Sequence, residues 1–315
     1  MTQHVPRDHG GGVDAAAARF GGVRADWIDL STGINPVPYP IPDMPQEAWT
    51  ALPDREAELG LIAAARAAWN VPDGAALLAA PGASALIARM PGLAPVGTVH
   101  IAAPTYNEHA ATFEAQGWKV TQTAAQAHAQ VIVNPNNPDG RVWSGADLRG
   151  GPLTVIDESF CDVMPDASLI AHAARPGVVI LKSFGKFWGL AGLRLGFAIG
   201  DPAMIRNLRD GLGPWPVSGP ALRIGTAALC DPAWASAANA RLRQDADRLD
   251  ALMVEKGAVP IGGTRLFRLF DTQDAIAMQD RLARHRIWSR VFPYSPRWLR
   301  LGLPMGDGWD RLGRV

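Results

Sequence analysis

The 315-residue chain carries thirty basic and thirty acidic side chains, a formal net charge of zero, with 48% hydrophobic and 19% charged residues. Such a composition is globular rather than disordered, and without a basic excess it argues against nucleic-acid and membrane-surface partners. The two cysteines, Cys161 and Cys230, sit in no CxxC and no His/Cys cluster, which argues against a disulfide framework and a metal site and fits a reducing, cytoplasmic compartment.

The N-terminal MTQHVPRDHGGG has no apolar core of a signal peptide, and Pro and Gly interrupt every long apolar stretch, so neither a leader nor a membrane span is expected. Residues 1–30 read as an arm, with His9-Gly10-Gly11-Gly12 able to wrap a ligand or a neighbouring subunit; a disordered terminus is the alternative. Trp27 to Leu30 is a short strand candidate that runs into the turn cluster Ser31-Thr32-Gly33-Ile34-Asn35-Pro36. Glu56 to Trp69 has apolar residues at helical spacing and is stopped by Asn70-Val71-Pro72.

Five strand candidates follow, each ending in polar groups. Leu77 to Ala80 leads through Pro81-Gly82-Ala83-Ser84 into a helix over Ala85 to Ala88, whose exposed N–H groups can bind an anion. Thr98 to Ala102 ends at Pro104-Thr105-Tyr106, where the aromatic ring can stack on a planar ligand or belong to the core. Val131 to Val133 ends in the amide-rich Asn134-Pro135-Asn136-Asn137-Pro138-Asp139-Gly140. Leu153 to Ile156 ends in Asp157-Glu158-Ser159-Phe160, and a carboxylate there needs a partner.

The fifth is Val178 to Leu181. It ends in Ser183-Phe184-Gly185-Lys186, and a glycine-rich segment then leads to Arg194 and the apolar run Leu195 to Ile199. A lysine among apolar neighbours loses its proton more readily and can form an imine with a carbonyl compound; a solvated loop lysine is the alternative for Lys186 taken alone. Together the five ends predict an α/β fold with a mostly parallel sheet, helices on both faces and one active edge.

After Asp201 the pattern changes. Gly211 to Pro220 is rich in breakers, Ala221 to Leu229 and Ala235 to Lys256 read as helices, and Gly262 to Phe270, Ile287 to Val291 and Trp298 to Gly302 read as strands. The arginine-rich face of the second helix reads as solvated. The expected division is a 1–30 arm, a 31–215 large domain and a 216–315 smaller α+β domain.

This constellation resembles the aminotransferase class I/II group of pyridoxal-phosphate enzymes, fold type I, from about Asp8 to Arg300. Ser183-Phe184-Gly185-Lys186 with Gly192-Leu193-Arg194 looks like the group's lysine signature, 134–140 like its amide loop and Asp157-Glu158 like its acidic strand end. His9-Gly10-Gly11 and 31–36 are most similar to the threonine-phosphate decarboxylases of cobalamin biosynthesis, with histidinol-phosphate aminotransferases next.

The resemblance implies pyridoxal 5'-phosphate as cofactor and a homodimer. It implies that Lys186 holds the cofactor as an imine, that Asp157 faces the pyridine nitrogen and that Tyr106 stacks on the ring. Asn137 donates to the phenolic oxygen, while Gly82, Ala83, Ser84, Ser183 and Arg194 hold the phosphate. For the substrate it implies Arg300 on a carboxylate, Arg290 on a phosphate or carboxylate, and His9, Thr32 and Asn35 closing the site. Two positions depart from the group: Phe160 and Leu52 stand where many members have tyrosines.

The implied reaction is decarboxylation of L-threonine phosphate to aminopropanol phosphate. The alternatives are an aminotransferase acting on a phosphorylated amino substrate such as histidinol phosphate, and a non-catalytic scaffold that keeps the fold. A scaffold has no use for Lys186, Asp157, Asn137 and Arg194 together.

Overall fold

The computed structural model describes residues 9–315, so residues 1–8 of the expected arm, and the Asp8 start of the resemblance, lie outside the described residues. In chain order the elements are α1 (Val13–Phe20), β1 (Ile28–Asp29), α2 (Glu47–Thr50), α3 (Arg55–Ala68), β2 (Ala76–Ala80) and α4 (Ala83–Ile87). Then come β3 (Thr98–Ile101), α5 (Asn107–Ala115), β4 (Lys119–Thr121), β5 (Ala129–Val133), β6 (Leu153–Asp157), β7 (Val178–Ser183) and β8 (Gly196–Gly200). Helices α6 (Pro202–Leu212), α7 (Gly219–Leu229) and α8 (Pro232–Glu255) follow. The chain closes with β9 (Val259–Thr264), β10 (Phe267–Asp271), α9 (Ala275–Arg284), β11 (Ile287–Trp288), β12 (Arg290–Phe292), β13 (Ser295–Gly302) and α10 (Gly308–Gly313). No helix among the described residues is long and apolar enough to cross a membrane.

Contacts divide the chain into two units, Pro38–Ala238 and the described part of Met1–Val37 with Asn239–Val315. These differ from the expected 1–30, 31–215 and 216–315. The breaker-rich Gly211 to Pro220 is a loop inside the larger unit, because α7 after it buries Leu222, Ile224 and Ala228 and packs against α3. At Gly225 of α7 even a Cβ would meet Leu195 and Leu61 side chains, at 2.6 and 2.9 Å. The chain instead leaves this unit within α8.

The larger unit is built on a seven-stranded sheet of order β2-β8-β7-β6-β5-β3-β4. All its strands run parallel except β8, which is antiparallel to β7 and β2. Register ties the strand ends together: Val133 faces Asp157, Asp157 faces Leu181, Ser183 faces Gly196, and Gly196 faces Ala80. Because side chains alternate along a strand, the two faces differ. One presents Val131, Val155, Val179, Leu181 and Ala198 to Phe113 of α5 and to Ile205 and Leu208 of α6, in one apolar cluster. The other carries Asn134, Glu158 and Lys182, all buried.

The smaller unit holds an antiparallel sheet, β12-β13-β10-β9, and a parallel pair, β1-β11. Two expected single strands are each two. Gly262 to Phe270 is a hairpin turning at Arg265-Leu266, so β9 and β10 face each other. Ile287 to Val291 splits at Ser289, with β11 pairing β1 and β12 pairing β13. The expected arm contains a helix, α1, bounded by Gly12 and Gly21 in positive-φ conformations; its Val13 and Ala16 pack with Trp27 and Ala283.

Phe113 is fully buried and lies edge-on to Trp118 at 5.2 Å. Phe113→Ala is expected to lower the unfolding free energy by about 3–5 kcal/mol, because removing a fully buried ring leaves a cavity in the apolar cluster. Chemical denaturation followed by tryptophan fluorescence checks this.

Candidate active site

The larger unit carries nine of the residues singled out from the sequence, at the edge where β2, β3, β5, β6 and β7 end and β8 begins. Asp157 is 2% exposed. Its position in the alternation turns it to the face that α5 covers, and His109 of α5 meets it there: Nε2 lies 2.9 Å from Asp157 Oδ2. The other oxygen accepts from the Ser159 amide at 3.0 Å and from Ser159 Oγ at 2.5 Å. Burial pushes the Asp157 carboxyl up, but the hydrogen bond and charge of His109, with the two bonds from Ser159, outweigh it and hold the group below the usual carboxylate range. His109 Nδ1 has no hydrogen-bond partner among the described residues, so Nε2 carries the proton that Asp157 accepts. Sequence reading missed His109; its place three residues after Tyr106, on the first turn of a helix, is the signal that could have found it.

Tyr106 caps the start of α5 and sits edge-on to the His109 ring at 6.0 Å. The loop before it is tied to the amide loop by Asn136, whose side chain donates to Pro104 O at 2.9 Å and accepts from Thr105 Oγ1 at 2.6 Å. Asn136 also donates to Asp139 Oδ1 at 2.7 Å. Asn136 is thus the buried strut of this loop, and Asn137 beside it is half-buried.

The anion cradle differs from expectation. Helix α4 starts at Ala83, not Ala85, and spans five residues, too few for a helix terminus to carry the site. The cradle rests instead on Gly82 and Arg194. Gly82 has φ +87°, and a Cβ there would lie 2.6 Å from Arg194 Nη2. At Gly196 a Cβ would lie 2.5 Å from the Ala83 amide nitrogen, so the start of β8, two residues after Arg194, passes directly against the loop. Arg194 is held in the left-handed region, φ 53°, an uncommon conformation for a non-glycine residue, with Nη1 donating to Ala191 O at 3.0 Å. Ser84 is exposed at the same loop, and Ser183 Oγ accepts from the Gly185 amide at 3.2 Å.

Lys186 is half-buried, on the loop after β7. Its Nζ lies over the Phe160 ring, 5.3 Å from the centroid, so an aromatic face stands where a hydroxyl was the group's usual feature. Leu52, the other departure, is 67% exposed.

The remaining five residues belong to the smaller unit. Arg290 and Arg300 are directly opposed partners on β12 and β13. Arg300 is 6% exposed and donates from Nη2 to Ser31 O at 2.6 Å. Burial, and then the positive charge of Arg290, push the Arg300 guanidinium down to about 10. Ser31 accepts from the Gly11 amide at 2.6 Å and donates to Asp29 Oδ1 at 2.6 Å, which ties the glycine segment after His9 to the arginine site. His9 is exposed and Thr32 is half-buried. Asn35 is buried and accepts from Arg241 Nη2 at 2.7 Å. That bond corrects the reading of the α8 arginines as merely solvated: Arg241 orients Asn35.

A buried carboxylate with a fixed partner, an amine at a loop, a half-buried aromatic ring, an amide loop and a glycine–arginine cradle fit the aldehyde-bearing, phosphorylated pyridine that the resemblance implies. A family model for aminotransferase class I and II matches residues 26–307. A threonine-phosphate decarboxylase from Sinorhizobium sp is 42% identical, over 98% of this chain and 96% of its own. One from Pseudomonas aeruginosa is 40% identical, over 97% of this chain and 96% of its own. A solved histidinol-phosphate aminotransferase from Sinorhizobium meliloti, in complex with pyridoxal-5'-phosphate, shares the fold with a TM-score of 0.80 at 18% identity, over 99% of this chain and 94% of that one.

Asp157 contributes stability at pH values above its unfolded value of about 3.9 and loses that contribution as pH falls through its depressed folded value. His109→Leu leaves burial dominant, so Asp157 takes up a proton sooner and acid unfolding begins at higher pH. Circular dichroism against pH measures this; coincident acid profiles for the two proteins would show that His109 does not hold the carboxylate charged.

Proposed function

Because this chain belongs to the aminotransferase class I and II family, we propose that it is a pyridoxal-phosphate enzyme that decarboxylates L-threonine O-3-phosphate to (R)-1-aminopropan-2-yl phosphate, in cobalamin biosynthesis. Two relatives at 40–42% identity over nearly the whole chain support the reading. The structural observation that carries the substrate class is the Arg290–Arg300 pair. Two guanidiniums at directly opposed positions, one of them buried, concentrate positive charge where a substrate with two anionic groups can be held. L-Threonine phosphate offers a carboxylate and a phosphate, one for each cation. Histidinol phosphate has a phosphate and no carboxylate, so it offers this pair one anionic group instead of two.

When bound, pyridoxal phosphate supplies an aldehyde for the substrate amine and a ring that takes up the electrons of the broken Cα–carboxylate bond. The residues of the chain do the rest. Asp157 Oδ2, already charged and oriented by His109, keeps the ring nitrogen protonated. Gly82, Ala83, Ser84, Ser183 and Arg194 hold the phosphate, and Gly82 leaves the space it needs beside the Arg194 guanidinium. Tyr106 would pack on the ring and Asn137 would donate to its phenolic oxygen. Lys186 Nζ would hold the aldehyde end of the cofactor and, once its amine is free, would carry the proton returned to the substrate Cα. In the smaller unit Arg290 and Arg300 take the substrate phosphate and carboxylate, and His9, Thr32 and Asn35 shape the same pocket. Orientation decides between reactions: holding the carboxylate–Cα bond perpendicular to the ring favours loss of carbon dioxide over loss of Cα–H.

The assay is incubation with pyridoxal phosphate and L-threonine phosphate, without any keto acid. Sustained carbon dioxide release is expected, and Lys186→Ala is expected to lose about a thousandfold or more of it. Conversion of the cofactor to its amine form without carbon dioxide would instead establish an aminotransferase.

We place the enzyme in the cytoplasm, in keeping with two free cysteines, and as a homodimer. Ile41, Trp49, Leu52 and Trp215 are 57–68% exposed on the larger unit, and a groove of about 300 Å³ runs between Pro53–Glu58 and Pro214–Val217. So much exposed apolar surface fits a contact with a second copy. Sedimentation at twice the 33.5 kDa chain mass is the expected result, and a monomer at micromolar concentration would contradict it.

A further inference from the structure

The face of the sheet opposite the apolar cluster buries an ion cluster to which the proposed reaction assigns no part. Lys182 Nζ lies 2.8 Å from Glu158 Oε2 and 3.4 Å from Asp162 Oδ1, with side chains 2%, 0% and 8% exposed. Each partner is held again. Glu158 accepts from the Leu169 amide at 2.6 Å and from Ser168 Oγ at 2.7 Å. Asp162 accepts from the indoles of Trp69 and Trp188, both at 3.1 Å. Burial works against the Lys182 charge, but Glu158 and Asp162 outweigh it and hold the ammonium well above its usual range.

A buried ion cluster is poor evidence of stability in itself, since apolar side chains of similar volume often pack as well or better. What it does impose is geometry, because three charges satisfy one another in few arrangements. Here the arrangement constrains the segments that carry the chemistry. Glu158 directly follows Asp157. Lys182 directly precedes Ser183 and lies four residues before Lys186. Trp188, two residues after Lys186, is bonded to Asp162 and stacked between Phe184 and Trp234, at 5.1 and 5.4 Å. Phe160, whose ring faces Lys186 Nζ, stands between Glu158 and Asp162 in the chain, so the cluster clamps it from both sides.

We propose that Lys182 is a positioning residue for the reaction: through Glu158 and Asp162 its ammonium fixes the Phe160 face against Lys186 Nζ and sets Asp157 and Lys186 in register. The proposal rests on the reading of Lys186 as the cofactor-binding lysine. The bonds of Glu158 and Asp162 to Leu169, Ser168, Trp69, Trp188 and Lys182 all lie within the larger unit, and the residues proposed to hold the substrate anions are not among these partners.

The test is Lys182→Met, with Lys182→Arg as the conservative control, each loaded with pyridoxal phosphate. The absorbance band of the cofactor held at Lys186 is titrated with pH, and kcat and KM are measured for L-threonine phosphate. Loss of the aromatic face destabilises the cationic form of the bound nitrogen, so the titration midpoint is expected to fall by about half a pH unit or more in Lys182→Met. kcat is expected to fall up to about a hundredfold with little change in KM, and Lys182→Arg should restore both quantities. An unchanged midpoint overturns the proposal. So does a rise, which is what simple deletion of a distant positive charge would produce. If Lys182→Met does not fold, Trp188→Phe, which keeps all three charges and removes the indole bond to Asp162, must show the same fall or the proposal fails. A wild-type protein that forms no band with pyridoxal phosphate sinks the cofactor reading and the proposal with it, whereas a normal wild-type band with an unmoved Lys182→Met midpoint sinks the proposal alone.

Discussion

A carboxylate at 2% exposure has to be paired, and the pairing of Asp157 is the constraint around which the larger unit is arranged. The residue lies at the end of a central strand, on the face covered by α5, so its partner has to come from that helix. His109 supplies it, and that choice sets where α5 begins and therefore where Tyr106, its capping residue, presents its ring. Asn136 then locks the loop before Tyr106 to the amide loop. One buried charge thus specifies the placement of three neighbouring groups by a chain of short bonds.

The two faces of the sheet divide the labour. Away from the Asp157–His109 pair, the α5 and α6 side is apolar and tolerates only shape-matched side chains, as the close packing of an interior demands. The opposite side carries polar residues at matching levels of three adjacent strands, Asn134, Glu158 and Lys182, and these bond to loops as well as to one another. A polar face of this kind costs desolvation, and it gives orientation in return. It lies under the edge where orientation matters most.

Much of this was legible in the chain before any coordinates. The five strands, their polar C-terminal ends and the long helices stood out because burial on both faces writes a continuous apolar run, and because prolines and glycines mark the turns. The features that escaped notice are those that depend on what a residue meets far away in sequence. Nothing local to Gly196–Gly200 says that β8 runs against its neighbours. His109 reads as an ordinary helical histidine and Lys182 as a lone charge in a strand; each acquires its meaning only from Asp157, Glu158 and Asp162. Ser289 splits one apparent strand in two because β1 and β13 claim its two halves. The helix in the arm is short, rich in alanine and enclosed by glycines, so its apolar signal is weak. The unit boundary was hidden for a different reason: it falls inside α8, where no composition change marks it.

The reversed direction of β8 has a further consequence. Strands β7 and β8 are hydrogen-bonded neighbours, and the segment between them is closed at its base by the Phe184 amide donating to Leu195 O at 3.0 Å. Lys186 and Arg194 therefore stand on one closed loop, and under the proposed function the separation between them has to match the distance between two ends of the cofactor. A residue added or removed there has nowhere to go. It must either change that span or slip β8 by one position, which would exchange Phe197 and Ala198 between the faces of the sheet. Surface loops of this fold can take up added residues, but the stretch between β7 and β8 has to keep its length.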